Sequence, residues 1–220
     1  MKPLLVLAAF PMVLMGWASC SHSGTGHAAL PDPRAVDKSV PEYKNPFHPS
    51  TYAHFVARKD YRKTYDVYKD DTLLNRQPKK SRKIFVCLDE QRGQYLVDGL
   101  VAMDFPLSSG VKAYPTKTGD YAVISKKEDH TSNLYGKMYD AEGKCINYNA
   151  ESTDPIPEGG RFDGSPMPYW QRLTNAGLGL HVGKVRRHPV SHGCVRLPRN
   201  VAEILYRQTS IGTPVTIQKT

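Results

Sequence analysis

From Lys83 onward the apolar residues fall in short runs, each closed by a glycine or proline turn, and none has the length or period of an extended amphipathic helix. This pattern restricts the chain to a mainly β body. Lys83 to Leu88 reads as a first strand. Gln94–Val97 and Leu100–Phe105 flank Asp98-Gly99, a dipeptide suited to a tight hairpin because both central residues tolerate positive φ. Pro115–Gly119 reads as a loop, Asp120–Ile124 as the next strand and Pro214–Gln218 as the last. Leu178, Leu180 and Val182 alternate with Gly179 and His181, so a strand here puts the three apolar residues on one face and His181 on the other. Asn200 is placed to cap a short helix from Val201, answered by Glu203, with Gly212 closing it. The long polar stretch from Ser125 to about Pro166 reads as an irregular insertion, or lid, over the body. The expectation is a mainly β fold with one or two short helices.

The residues before Lys83 read differently. Lys2 followed by the apolar run Leu4–Met15 and the small residues Ala18 and Ser19 has the form of a secretory leader over residues 1 to 19, too short to span a bilayer comfortably. Ala18-Ser19-Cys20 resembles a lipobox, which would make Cys20 an acylated, membrane-anchored terminus; cleavage further on by an ordinary signal peptidase is the alternative. Residues 20 to 50, rich in Ser, Gly, His and Pro, read as a flexible tether. Residues 51 to 82 form a polar, tyrosine-rich extension with one or two helical turns and no evident role. An exported chain with a formal charge of +9 points to cell-wall polymers or anionic membrane surfaces and away from nucleic acid. Cys87 sits in an apolar run and reads as an unpaired core residue; a disulfide with Cys145 in an oxidising compartment is the alternative. No cysteine pair has the close spacing of a zinc site, so structural zinc is not expected.

The chemistry concentrates near the end of the chain. Cys194 lies in Ser191-His192-Gly193-Cys194-Val195-Arg196, and between Gly164 and Asn200 there is no Asp or Glu, while Arg172, Lys184, Arg186, Arg187, Arg196 and Arg199 are present. A thiol becomes a competent nucleophile when its pKa is lowered or a base stands beside it, and His181 can do either if its strand lies along the Ser191–Cys194 turn. Gly193 allows a tight turn, so that backbone N–H groups around Gly193 and Cys194 can face a developing oxyanion. Arg196 adds positive potential and can hold a substrate carboxylate. His188, between Arg187 and Pro189, reads as a loop residue.

These residues resemble the L,D-transpeptidase catalytic domain of bacterial cell-wall enzymes (YkuD type), over about residues 83–218. His181, a short gap and Ser191-His192-Gly193-Cys194-Val195-Arg196-Leu197 carry the resemblance. Ile84–Leu88 with Gln91-Arg92, Phe105–Gly110, Tyr114–Gly119 and Met167-Pro168-Tyr169-Trp170 extend it. It implies an L,D-transpeptidase-like β-sandwich without metal or organic cofactor. Cys194 would be the nucleophile and His181 the general base, its ring oriented by the carbonyl that follows it. His192 and Gly193 would shape the oxyanion hole. Arg196 and Ser191 would bind or support the substrate, and Tyr169 and Trp170 would line the cleft. The implied reaction is attack of Cys194 on a peptidoglycan tetrapeptide stem, with transfer to an amine of a second stem or of an envelope protein. The same acyl-enzyme resolved by water, in a carboxypeptidase or a hydrolase that frees wall proteins, is the alternative. A non-catalytic wall-binding module is a second.

Overall fold

A computed structural model describes residues 32–76 and 81–219. The leader, Cys20 and Lys79-Lys80 lie outside the described residues. Two short elements open the chain: α1 (Tyr52–Val56), capped by Thr51 through the His54 N–H, and the two-residue strand β1 (Tyr68–Lys69). After α2 (Asp71–Asn75), capped by Asp70, come β2 (Arg82–Cys87), β3 (Arg92–Val97) and β4 (Leu100–Pro106). The β3–β4 turn is the expected hairpin, with Val97 opposite Leu100 and positive φ at both Asp98 and Gly99. Next are β5 (Gly119–Ala122) and β6 (Ser125–Lys127), followed by β7 (Thr131–Tyr139), β8 (Cys145–Glu151) and β9 (Arg161–Pro166). The chain ends with β10 (Trp170–Arg172), β11 (Gly179–Val182), β12 (Val195–Leu197), α3 (Arg199–Gln208) and β13 (Pro214–Gln218).

These strands make three sheets, ordered β1-β4-β3-β2-β13-β5, β12-β11-β10-β6 and β8-β7-β9. The first two close on one apolar core with α3. Ile84, Val86, Tyr95, Phe105, Val215 and Ile217 from the large sheet meet Leu180, Val195 and Leu197 from the smaller one, and Val201, Ala202 and Leu205 from the helix. Burial of side chains of this size from both sheets is the main stabilising term of the sandwich. Cys87 is buried too, on the opposite face of β2 from Ile84 and Val86, and no disulfide joins it to Cys145.

Three expectations change. The segment after β6 is a three-stranded antiparallel sheet, not an irregular loop. Its strands lie in polar sequence because β8 exposes most of its residues, so they lack the apolar alternation of a half-buried strand. The last helix begins at Arg199 with Pro198 at its N-cap and no side-chain cap bond, and its C-cap is Thr209; Gly212 lies beyond it in the turn before β13. A proline at this position supplies a fixed φ and withholds a donor the first turn does not use, so Asn200 is not needed as a cap. Residues 32–50 pack on the extension, the Lys38 amine reaching Val56 O at 2.8 Å and the Tyr43 hydroxyl Ala57 O at 2.8 Å.

Candidate active site

Strand register brings the two reactive residues together. β11 and β12 are parallel neighbours, with Leu180 opposite Val195 and His181 opposite Arg196, so the chain enters β12 from Cys194 alongside the strand that carries His181. Leu180 turns into the core, 1% exposed. His181, on the other face as the alternation requires, lines a cavity of about 700 Å³ with Cys194, Ser191, His192, Gly193, Arg196 and Trp170. Every sequence-predicted site residue among the described ones is therefore in the cavity wall, save Tyr169. Its ring packs on Tyr206, centroids 5.6 Å apart, beneath the Arg199 guanidinium, and against the core. His188 lies outside the cavity, exposed.

The turn that carries Cys194 is braced from two sides. The segment after β4 runs along it: Ser109 O accepts from the Val190 and Ser191 N–H groups, the Val111 N–H donates to Ser191 O, and Ser108 Oγ accepts from the Arg186 and Arg187 N–H groups. Thr116 makes the second brace, accepting from the Gly110 N–H at 2.8 Å and donating to Gly193 O at 2.6 Å. Gly110 and Gly193 must both be glycine for this approach. A Cβ on Gly110 would stand 2.8 Å from the Gly193 Cα, and Gly193 itself has φ +110°. Within the turn the Ser191 hydroxyl donates to Cys194 O at 2.5 Å and accepts from the Gly193 N–H at 3.2 Å. Ser191, 2% exposed, thus acts on the shape of the turn. The Gly193 N–H is engaged there, and the Cys194 N–H takes no partner among the described residues.

His181 Nδ1 lies 2.8 Å from Val182 O. A carbonyl only accepts, so Nδ1 carries the proton and Nε2 keeps its lone pair. Burial holds the His181 pKa down at about 4, with the Arg196 and His130 charges acting in the same direction, so the ring is neutral at physiological pH. Burial also pushes the Cys194 thiol above its ordinary value, opposed by the Gly179 N–H and by Arg196 and Arg172. In the resting site both groups are therefore neutral, and Cys194 Sγ donates to Gly177 O at 3.4 Å.

Sequence reasoning missed several lining residues. His130 stacks on Trp170 at 5.0 Å, and Trp170 lies 5.9 Å from the His181 ring. Tyr135 of β7 stacks on His192 at 4.4 Å and 24°, with Tyr114 against the same ring at 4.7 Å, so His192 is held between aromatics. Tyr135 and His130 came from the polar insertion, where no period marked them. Thr116 and Arg172 lay in segments already singled out, the Tyr114–Gly119 loop and the acid-free basic run. Among the described residues no group of three or more His, Cys, Asp or Glu is arranged to hold a metal ion, and no helix is long and apolar enough to cross a membrane.

Comparison with known proteins gives a consistent picture. The L,D-transpeptidase catalytic domain (YkuD) family matches residues 81–217. The protein named Probable L,D-transpeptidase 3 of Mycobacterium tuberculosis is 31% identical over 121 residues, 52% of this chain and 38% of its own length. Among solved structures, an L,D-transpeptidase from Mycobacterium smegmatis is similar with a TM-score of 0.48 and 22% identity, over 62% of this chain and 58% of that one. An Enterococcus faecium L,D-transpeptidase is similar with a TM-score of 0.46 and 28% identity, over 63% of this chain and 50% of that one. The chain therefore spans little more than a third of the curated relative's length and between half and three-fifths of these two structures. With the family pattern running over most of the chain, from before β2 into β13, this chain belongs to the L,D-transpeptidase catalytic domain family.

Proposed function

We propose that the protein is a peptidoglycan L,D-transpeptidase in which Cys194 is the nucleophile and His181 the general base. The observation that carries this reading is the parallel β11–β12 pair, which sets a neutral, Nδ1-protonated imidazole on β11 and the half-buried thiol of the residue that enters β12 in one cavity without Asp or Glu. Cys194 Sγ attacks the carbonyl of the third residue of a tetrapeptide stem as its proton passes to His181 Nε2. The developing oxyanion is received at the Cys194 N–H side of the turn, with His192 and Gly193 fixing that turn's shape. His181 then protonates the departing amine of the terminal residue, and a thioester remains. An acceptor amine attacks the thioester, gives its proton to His181, and leaves as the new amide while Cys194 regains a proton. Arg196 and Trp170 hold the stem in the cleft.

The substrate lies outside the membrane, so the reading needs export; the leader over residues 1–19 would supply it and an acylated Cys20 would keep the enzyme at the envelope. Incubation with purified tetrapeptide muropeptides followed by mass spectrometry tests the whole scheme. Cross-linked dimers, together with an acyl adduct on Cys194 and no turnover by Cys194→Ala, are the expected result. Tripeptides alone would replace transfer by hydrolysis. An inert Cys194 would make the domain a wall-binding module.

A further inference from the structure

The cavity holds more positive charge than the chemistry of Cys194 and His181 uses. Lys117, Arg172, Lys184 and Arg196 line it, and no Asp or Glu does. None of these four cations forms an ion pair among the described residues, although ion pairs engage Arg34, Arg58, Arg76 and Arg92 elsewhere. Unpaired cations converging on a concave site are an arrangement completed by an anion.

Arg172 is the one placed to choose that anion. It stands on β10 opposite Gly179 of β11, which is two residues before His181. Cys194 is two residues before Arg196, which is opposite His181. Alternation then puts Arg172, His181 and Arg196 on one face, with Arg172 level with Cys194 and two strand spacings, roughly 10 Å, across from it. The gap between them is narrow in side chains because Gly179 has none, and a Cβ there would stand 2.4 Å from the Trp170 ring. The Arg172 guanidinium lies 5.8 Å from that ring, and its one hydrogen bond among the described residues is a long one, 3.5 Å to Asn175 O. A guanidinium has five donors, so nearly all of its capacity faces unused. Arg172 and Arg196 thus flank the nucleophile from different strands, each with an open guanidinium.

Resting on the peptidoglycan reading, we propose that Arg172 is a specificity-determining residue that receives a free carboxylate at the end of the acyl-donating residue's side chain. The enzyme then takes stems whose third residue is a diaminodicarboxylic acid, and rejects its carboxamide and a plain diamine. The charge balance favours this. The end of a diaminodicarboxylic side chain is a zwitterion of zero net charge, whereas the carboxamide and the diamine each bring an uncompensated ammonium into a cavity of four cations. A carboxylate also accepts both forks of a guanidinium, and a carboxamide presents it with a second donor. Arg196 remains for the terminal carboxylate of the leaving residue.

Three synthetic tetrapeptides identical except at the third residue (the diacid, its side-chain carboxamide, and lysine) test this with the wild-type protein and Arg172→Gln. The readout is kcat/KM for Cys194 acylation, followed by intact mass and by release of the terminal amino acid. Wild type is expected to favour the diacid over the carboxamide by at least about tenfold, and Arg172→Gln to shrink that ratio to about threefold or less. Because the ratio is taken within one enzyme preparation, loss of folded protein does not move it, and Arg172→Lys should give an intermediate value. A wild-type ratio near one, or a ratio unchanged by Arg172→Gln, overturns the proposal. Acylation by none of the peptides removes the peptidoglycan reading and this inference with it.

Discussion

At the scale of single residues, the site is set by what burial does to two titratable groups. His181 is held at about 4 and Cys194 is pushed above the ordinary thiol value, in both cases chiefly by desolvation. The two shifts run in opposite directions but act in the same sense on an ion pair: each makes a thiolate–imidazolium pair less favourable than the neutral pair. This has a consequence for pH dependence. Raising the pH deprotonates Cys194, so its alkylation by iodoacetamide should climb steadily from pH 6 to 9, close to tenfold per unit below the thiol pKa, with no plateau at lower pH. A preformed ion pair would instead give a flat profile from about pH 5 upward, since its thiolate would already be present. Stopped alkylation with mass readout separates the two. Turnover, by contrast, needs the neutral imidazole, which His181 keeps at every pH above about 4; His181→Ala should remove transfer while leaving a thiol that still alkylates at alkaline pH.

Among the elements, the three-stranded sheet β7–β9 decides the shape of the cleft. Ser132, Leu134, Tyr135, Tyr148 and Pro166 from it stand in the cavity wall, opposite the nucleophile's turn. Its contact with that turn is the Tyr135–His192 stack backed by Tyr114. An aromatic pair of this kind contributes about 0.5–1.5 kcal/mol, so Tyr135→Ala should raise KM for a tetrapeptide roughly three- to tenfold with a smaller change in kcat, and Tyr135→Phe should restore it. Steady-state kinetics with the terminal amino acid as product measure both constants. A fall in kcat at unchanged KM would place the stack in the chemical step instead. The same elements show what a single sequence carries. Ile84, Val86, Val97 and Phe105 announce their strands because one face of each meets an apolar core, and Asp98-Gly99 announces its hairpin because few residues accept positive φ. His181 was legible for the same reason, as the polar member of an alternating strand. β7, β8 and β9 were not: they bury few apolar side chains, so pairing by backbone hydrogen bonds leaves no period in the sequence. His130 was equally silent, and Arg172 showed only as one member of a basic run, since their meaning lies in neighbours brought by the insertion and by β10.

For the molecule as a whole, the stretch before β2 is bound into the large sheet and reaches the loop between His181 and Cys194. β1 adds to the edge of β4, and the Asp104 carboxylate on β4, fully buried, accepts from the Arg92 guanidinium at 2.5 Å, the Tyr52 hydroxyl at 2.7 Å and the Tyr61 hydroxyl at 2.8 Å. Arg92 also donates to Thr64 O and Asp66 O, both at 3.2 Å. From the other side Arg187, in the loop between His181 and Cys194, donates to the same Thr64 O at 2.7 Å and to Glu90 O at 2.9 Å. One carboxylate therefore neutralises Arg92 and anchors two tyrosines of the extension, and the extension's Thr64 carbonyl holds the loop that leads to the nucleophile. A buried ion pair adds little net stability over an apolar substitute, but loss of one partner leaves the other charged and unpaired. Asp104→Asn should then cost about 3–5 kcal/mol in urea unfolding, far more than Tyr61→Phe, which removes one hydroxyl worth about 1 kcal/mol. The mutant should also lose catalytic rate beyond its loss of folded protein, because freeing residues 64–66 frees Arg187. A variant whose unfolding midpoint stays at the wild-type value would show that the cluster carries no such weight, and a destabilised variant with full activity per folded molecule would separate the extension from the catalytic loop.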